Sequence, residues 1–396
     1  FSSKAFTAFT VMLLMIIIAR SFGTVGSGVL SMILLVPGLA FSFGNLGVDN
    51  SNIYFLANKQ SNPKKILSNT IIQSLVMSAL MVVIFLLFFF VYPGIIGELN
   101  PIYFYISLLI VPIFFIERFL QSILIGLQDF NLFGKPLIVT KTIILLLMAF
   151  SIFVLNSSLF VTTLLFAVSL SILPFWYLFV LIKKYGFSFE FDLDLFKRNF
   201  LFSLKSYIIA LFCFLILRAD IYILNIYRGV SEVGIYSVAT NFFDAINLIT
   251  ASIALVLFPQ MSSNIKDGYK ILRSGLKLTS IFVIPAILVV AIFAKPLILL
   301  IFGPSFISAI YPFVFLSIAL VFWSLTVIIN QYFSSIGIPF YLMFVWLLGL
   351  ALNIILNIMY IPKYGMLAAS ISSLIAYFVL FVLSYILSFF ASKKQH

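Results

Sequence analysis

About every thirty residues this chain repeats one element: a run of some 20 apolar residues, almost free of charge, closed by a short polar or Gly/Pro turn. A run of about 20 residues is what an α-helix needs to cross a hydrocarbon core about 30 Å thick. In lipid every backbone N–H and C=O must find a partner inside the protein, which leaves helices or a closed barrel. The runs show no alternation of apolar and polar positions, so helices are expected. Composition matters here only as the scale of the apolar excess. With 64% hydrophobic and 9% charged residues, the chain lacks the polar surface to enclose a water-soluble core.

Twelve spans are expected, near 5–20, 29–56, 67–92, 101–126, 136–155 and 159–182, then near 201–226, 234–259, 276–302, 306–334, 340–361 and 365–390. The breaks fall at turn chemistry: Gly23 to Gly28, Asn62-Pro63, Pro93-Gly94, Gly134 to Pro136, Gly303-Pro304 and Pro362 to Gly365. The longest loop, 183–200, divides the chain into an N-terminal lobe over 1–182 and a C-terminal lobe over 201–396. Each lobe holds an even number of spans, so the halves are expected as parallel repeats. A short echo supports duplication: Gly28-Val29-Leu30-Ser31 after span one matches Gly234-Ile235-Tyr236-Ser237 after span seven. The chain opens at Phe1 rather than Met, so residues upstream are expected. The first apolar run lacks a small-residue cleavage site and leads into further spans, and it does not read as a signal peptide.

Charge orients the spans. With the N-terminus inside, 16 of the 23 Lys and Arg fall at cytoplasmic ends and loops, Lys4, Lys266 and Lys394 among them. Only Arg20, Arg228, Lys295 and Lys363 fall outside, and Arg118, Lys141 and Arg218 lie within spans. That bias places both termini in the cytoplasm. The net charge of +12 is then topology, and no nucleic-acid partner is implied.

Ionisable side chains inside a span cost a few kcal/mol each and usually face a cavity or a partner. Span two carries Ser42, Asn45, Asp49 and Asn52 on one face of a continuous helix, and span four carries Glu117, Arg118, Gln121 and Gln128. Lys141 stands in span five, Arg218 and Asp220 in span seven, and Thr240, Asn241, Asp244 and Asn247 stripe span eight. Converging, these stripes make a hydrated central cavity between the halves. Arg118, Lys141 and Arg218 give it the positive charge to hold phosphate. Structural readings stand beside this one. Arg218 pairs with Asp220 or Asp244 as a bridge; Lys141 snorkels to the interface; Asp49 is a satisfied packing residue; Arg20 anchors the outer surface. Pro37, Pro112, Pro174 and Pro285 are either ordinary kinks or hinges, with Pro37 the foremost hinge candidate.

Several chemistries are excluded. Cys213 is the one cysteine and His396 the one histidine, so disulfide frameworks, thiolate metal sites and His-based catalysis have no residues to use. No HExxH, GxSxG or P-loop occurs. Asp192-Leu193-Asp194 matches a DxD metal motif but sits in an amphipathic run, 191–198, that reads as a surface helix on the cytoplasmic leaflet. No enzyme, cofactor or metal is expected.

Certain segments resemble the polysaccharide flippase family, the Wzx-type branch of the MOP (multidrug/oligosaccharidyl-lipid/polysaccharide) exporter superfamily. They are Ala19-Arg20-Ser21-Phe22-Gly23, Asn45-Leu46-Gly47-Val48-Asp49, Asp220-Ile221-Tyr222-Ile223-Leu224 with Val233 to Ala239 and Leu257-Phe258-Pro259. Further on, Phe302-Gly303-Pro304, Asn353 to Asn357 and Ile361 to Ala369 resemble it too. The resemblance implies an all-α integral membrane fold of twelve helices in two six-helix lobes, similar to MATE (multidrug and toxic compound extrusion) transporters, working by alternating access. It implies a bacterial inner-membrane flippase that moves undecaprenyl-pyrophosphate-linked oligosaccharide to the outer leaflet. O-antigen, capsule or exopolysaccharide repeat units would be its cargo and a polysaccharide polymerase its partner. On that reading Arg118, Lys141, Arg218, Asn45, Gln121 and Asn241 bind substrate. Asp49, Asp220, Asp244 and Glu117 are candidates for H⁺ or Na⁺ coupling. The rivals are a lipid II flippase, which usually carries two more C-terminal helices, a multidrug exporter, which favours acidic cavities, and a membrane polymerase or ligase, which needs a large outer loop.

Overall fold

The computed structural model describes residues 2–263 and 267–393, with the side chains of Ser2, Lys4 and Ala5 outside the description. Lys266, Lys394 and His396 also lie outside the described residues. All described secondary structure is helical. In order the helices are α1 (Ser2–Gly44), α2 (Val48–Ala57), α3 (Pro63–Val91), α4 (Pro101–Gly126), α5 (Phe130–Phe153), α6 (Leu159–Ser169) and α7 (Ile172–Tyr185). They are followed by α8 (Leu193–Ser263), α9 (Gly268–Ile292), α10 (Ala294–Ile301), α11 (Ile310–Ser335) and α12 (Phe340–Lys393). Among the described residues nine helical stretches are long and apolar enough to cross a membrane. This is a multi-pass membrane protein.

The helix starts follow local chemistry. Asn62 accepts from the Lys64 N–H with Pro63 in the first turn, and Asn100 accepts from Ile102 with Pro101 behind it. Asp129 caps α5 by accepting from the Leu132 N–H at 3.1 Å, so that helix begins well before the expected break, and Gly134 and Pro136 lie inside it. Non-helical glycines interrupt three long helices, Gly23 in α1, Gly229 in α8 and Gly365 in α12.

The surface of α3 shows what solvent the fold is built for. Its buried residues are mostly polar (Ser68, Asn69, Thr70, Gln73, Ser74, Ser78, beside Ile66, Leu67 and Ile71), while Leu80, Val83, Leu87, Phe88 and Phe90 are exposed. Helices packing in lipid gain from small and polar contacts rather than from hiding apolar surface.

Span two is not one helix. Leu46 and Gly47 take positive φ, 50° and 75°, and split it between α1 and α2. The Asn45 side chain accepts from the Gly47 N–H at 2.6 Å, closing the turn. A methyl group at Gly47 would also overlap Ser203, so both conformation and space call for glycine there. The single polar face expected from Ser42 to Asn52 therefore does not exist, because the turn re-aims everything after residue 47. The break lies ten residues beyond Pro37, which stays within α1.

By packing, the chain forms two compact units: residues 1–22 with 29–214, and 23–28 with 215–396. The first part of α8 belongs to the first unit. Phe202 lies on the Tyr54 and Phe55 rings, and the Tyr207 hydroxyl donates to the Phe43 carbonyl at 2.7 Å. The core of this unit gathers Phe55, Leu67, Leu120, Phe133 and Leu181 around Tyr177, whose hydroxyl donates to the Phe133 carbonyl at 2.6 Å. In the second unit Trp323, Trp346, Tyr332 and Phe333 are fully buried. There the two echo glycines make reciprocal close approaches, Gly28 against the Val230 carbonyl and Gly234 against the Thr24 carbonyl.

The amphipathic run 191–198 is not a separate surface helix. Residues 186–192 carry no helix, and helix starts at Leu193, running on into span seven.

Candidate functional site

The first unit carries one group of charged residues. Asp49 stands in the first turn of α2, half-buried, its carboxylate accepting from the Asn50 N–H at 2.9 Å. Arg118, on α4, lies close enough for its charge to act on Asp49. The Arg118 side chain is exposed, and its guanidinium carbon sits 4.8 Å from the centre of the Phe114 ring. A guanidinium on an aromatic face keeps its N–H edge open for an anion. One turn along, Gln121 donates to the Glu117 carboxylate at 2.9 Å. Lys141 is half-buried on α5. The other members of the span-two stripe are occupied. Asn45 serves the turn, and Asn52, 1% exposed, donates to Thr70 at 3.1 Å and to Ser122 at 3.2 Å, joining α2 to α3 and α4.

The second unit carries a different arrangement. Arg218 and Asp244 form an ion pair at 2.6 Å, so of its two candidate acids Arg218 bonds the one on span eight. Asp220 is 2% exposed, and its carboxylate accepts from the Ile221 N–H at 2.8 Å, the Tyr236 hydroxyl at 2.5 Å and the Ser373 hydroxyl at 3.3 Å. The network continues as Asn353 donates to Ser373 at 3.4 Å and Asn357 donates to Asn353 at 3.0 Å. The Asn357 amide oxygen ends the series buried and without a hydrogen-bond partner. A small cavity, with room for about one water, is lined by Arg218, Asp220, Thr240, Phe243, Asp244 and Tyr377 among others. Asn241 bonds back to the Ser237 carbonyl of its own helix at 2.7 Å.

Sequence reasoning missed the partners of Asp220. Tyr236 is 16 residues away and Ser373 is 153 away, and no local spacing links them. Asn353 and Asn357 did leave a signal, two amides at i and i+4 within an apolar span, where a one-sided polar pair calls for a partner. Among the described residues no group of three metal-ligating side chains occurs.

A helical membrane domain with a few engaged charges at depth belongs to the transporter class of folds. The chain is a member of the polysaccharide biosynthesis protein family, whose sequence profile matches residues 1–265. It is 28% identical over 217 residues to an uncharacterized membrane protein of Methanocaldococcus jannaschii, covering 52% of this chain and 43% of that one. It is 25% identical over 184 residues to a probable low-salt glycan biosynthesis flippase of Haloferax volcanii, covering 45% of this chain and 39% of the relative. The chain thus spans less than half the length of these curated relatives. Its fold is that of a lipid II flippase in an inward closed conformation, with a TM-score of 0.77 at 18% identity, covering 97% of this chain and 86% of the other.

Proposed function

We propose that this protein is a flippase that carries a lipid-linked oligosaccharide across the membrane by alternating access. The observation that carries the reading is Arg118: an exposed guanidinium on an aromatic face, inside an apolar helix of a polysaccharide biosynthesis family member. An exposed cation with an open edge within an apolar span suits a phosphate or pyrophosphate, and a sugar chain needs the amides and hydroxyls nearby. Arg118 and Lys141 would hold the phosphate, with Gln121 and Asn45 on the same unit. In the second unit Arg218 is engaged by Asp244, and Asn241 by the Ser237 carbonyl. Undecaprenyl pyrophosphate is the carrier that the family resemblance implies. Two relatives are archaeal, so recognition is assigned to phosphate and sugar rather than to one polyprenol.

We assign ion coupling to the second unit. Asp220, a deeply buried acid held by two hydroxyls and a backbone N–H, can hold or release H⁺ or a small cation with little rearrangement of its neighbours. Asp49, Asp244 and Glu117 are weaker candidates, each engaged by local bonds or charges. If Gly23, Gly229 and Gly365 each divide a double crossing, the nine spans become twelve, six per half, with both termini in the cytoplasm of a plasma membrane. A polysaccharide polymerase would then take the delivered unit.

A strain lacking the protein should accumulate lipid-linked oligosaccharide on the leaflet where it is made. Normal delivery with failed chain extension would instead make the protein a polymerase. The second reading, a lipid II flippase, is favoured by the fold likeness; loss of peptidoglycan precursor at the outer leaflet, with glycan delivery intact, would establish it.

A further inference from the structure

Residues 186–192 form a non-helical strap between the end of α7 and the start of α8. Asn69, in the second turn of α3, grips it: the amide nitrogen donates to the Asp192 carbonyl and the amide oxygen accepts from the Asp192 N–H, both at 2.8 Å. The Ser68 hydroxyl accepts from the Ser188 N–H at 3.0 Å, and Lys65 pairs with the Asp192 carboxylate at 3.3 Å. A loop held this firmly would be expected to tuck in its apolar side chains. Phe187 does so, packing against the core of this unit, but those after it do not. Phe189 is 89% exposed, and Phe191 and Leu193 are 41% and 51% exposed.

The position of the strap explains the inversion. Helix α3 begins at Pro63 and α7 ends at Tyr185, both at the limits of apolar spans, so the strap runs where the chain leaves the hydrocarbon. Lysines surround it. The Lys64 stem passes beside Gly186, Lys183 lies in the last turn of α7, and Lys197 follows the strap; all three are exposed, and none forms an ion pair among the described residues. Glu190 and Asp194 are exposed in the same stretch, and Lys64, Lys183 and Lys197 outnumber them. Exposed Phe beside this surplus of Lys at the level of the interface is complementary to a lipid with an acidic head group.

We propose that the strap is an anionic-phospholipid docking surface, with Phe189 and Phe191 in the leaflet and Lys64 and Lys183 on the phosphate. The inference rests only on the chain spanning a membrane and is independent of what it transports. The fixed backbone means the Phe side chains are presented with no ordering of the loop needed.

The test uses the full chain in nanodiscs of phosphatidylcholine mixed with phosphatidylglycerol, counting retained lipids by native mass spectrometry. The wild type should retain phosphatidylglycerol preferentially, and Lys64→Gln with Lys183→Gln should cut that preference roughly fivefold per charge removed. Equal retention of both lipids by the wild type, or an unchanged preference in the double variant, would overturn the proposal. So would loss of the preference on adding inorganic phosphate, which would mark a soluble anion as the occupant. Should the double variant melt early, a fluorophore at Phe189→Cys in a Cys213→Ser background decides. A blue shift confined to discs with phosphatidylglycerol supports docking, and identical emission in both discs refutes it.

Discussion

The two units use the same residue types in opposite ways. In the first, Arg118 is exposed and touches an aromatic face, while Asp49 is held only by its own helix start and the pull of that arginine. In the second, Arg218 is closed by Asp244, and Asp220 is buried under three hydrogen bonds. An open charge can accept a large, variable anion. Asp220, 2% exposed under its hydrogen bonds, leaves room only for something as small as a proton or a bare cation. On the proposed function, the bulky cargo would meet the first unit and the coupling step the second.

Breaking the closed set should have the larger effect. Asp220→Ala strands the Tyr236 and Ser373 hydroxyls, at about 1–3 kcal/mol for each buried group left unpaired. Transport should fall to background and the melting temperature should drop, as read by a thermal shift assay in detergent. Asp220→Asn should keep the fold and lose the response to an ion gradient, which separates coupling from stability. Arg118→Ala should reduce transport at least tenfold at normal abundance and leave melting unchanged, since its guanidinium lies over the Phe114 ring and is otherwise exposed. Equal melting losses in Asp220→Ala and Arg118→Ala would erase the distinction between the units.

The break in span two sharpens the comparison, because it sets where Asp49 points. Gly47→Ala forces a side chain into a left-handed turn and against Ser203, with a cost of about 1–3 kcal/mol and a lower melting temperature. Much of the fold is legible in the sequence: apolar run length sets the spans, and Asn-Pro pairs mark two helix starts. This break is not. Gly44-Asn45-Leu46-Gly47 lies inside an apolar run, and a glycine there is equally compatible with a continuous membrane helix. The stripe of Ser42, Asn45, Asp49 and Asn52 looked like one face because helical spacing was assumed through the turn. The candidate site was legible as a set of charged residues but not as a set of partners, since the contacts of Asp220 come from helices far apart in the chain. The strap illustrates the same limit: its amphipathic pattern is plain, yet the Asn69 bonds that hold it arise 123 residues away.

The smallest expected effect lies outside the membrane. The Leu132 N–H, and after it Lys184, hold the Asp129 carboxyl below the usual carboxylate range. A depressed pKa contributes stability above about pH 4 that is lost as pH falls through the native value. Asp129→Asn should therefore lower the melting temperature slightly at pH 7, and by less as the pH falls below about 4.

Reconstitution in liposomes tests the central claim most directly. A fluorescent pyrophosphate-linked oligosaccharide is placed in one leaflet, and its appearance in the other is followed with a membrane-impermeant quencher. The account predicts transfer by the wild type, accelerated by an ion gradient, with almost none by Arg118→Ala and gradient-insensitive residual transfer by Asp220→Asn. Transfer by Arg118→Ala at the wild-type rate, or none by the wild type under any gradient, would contradict it.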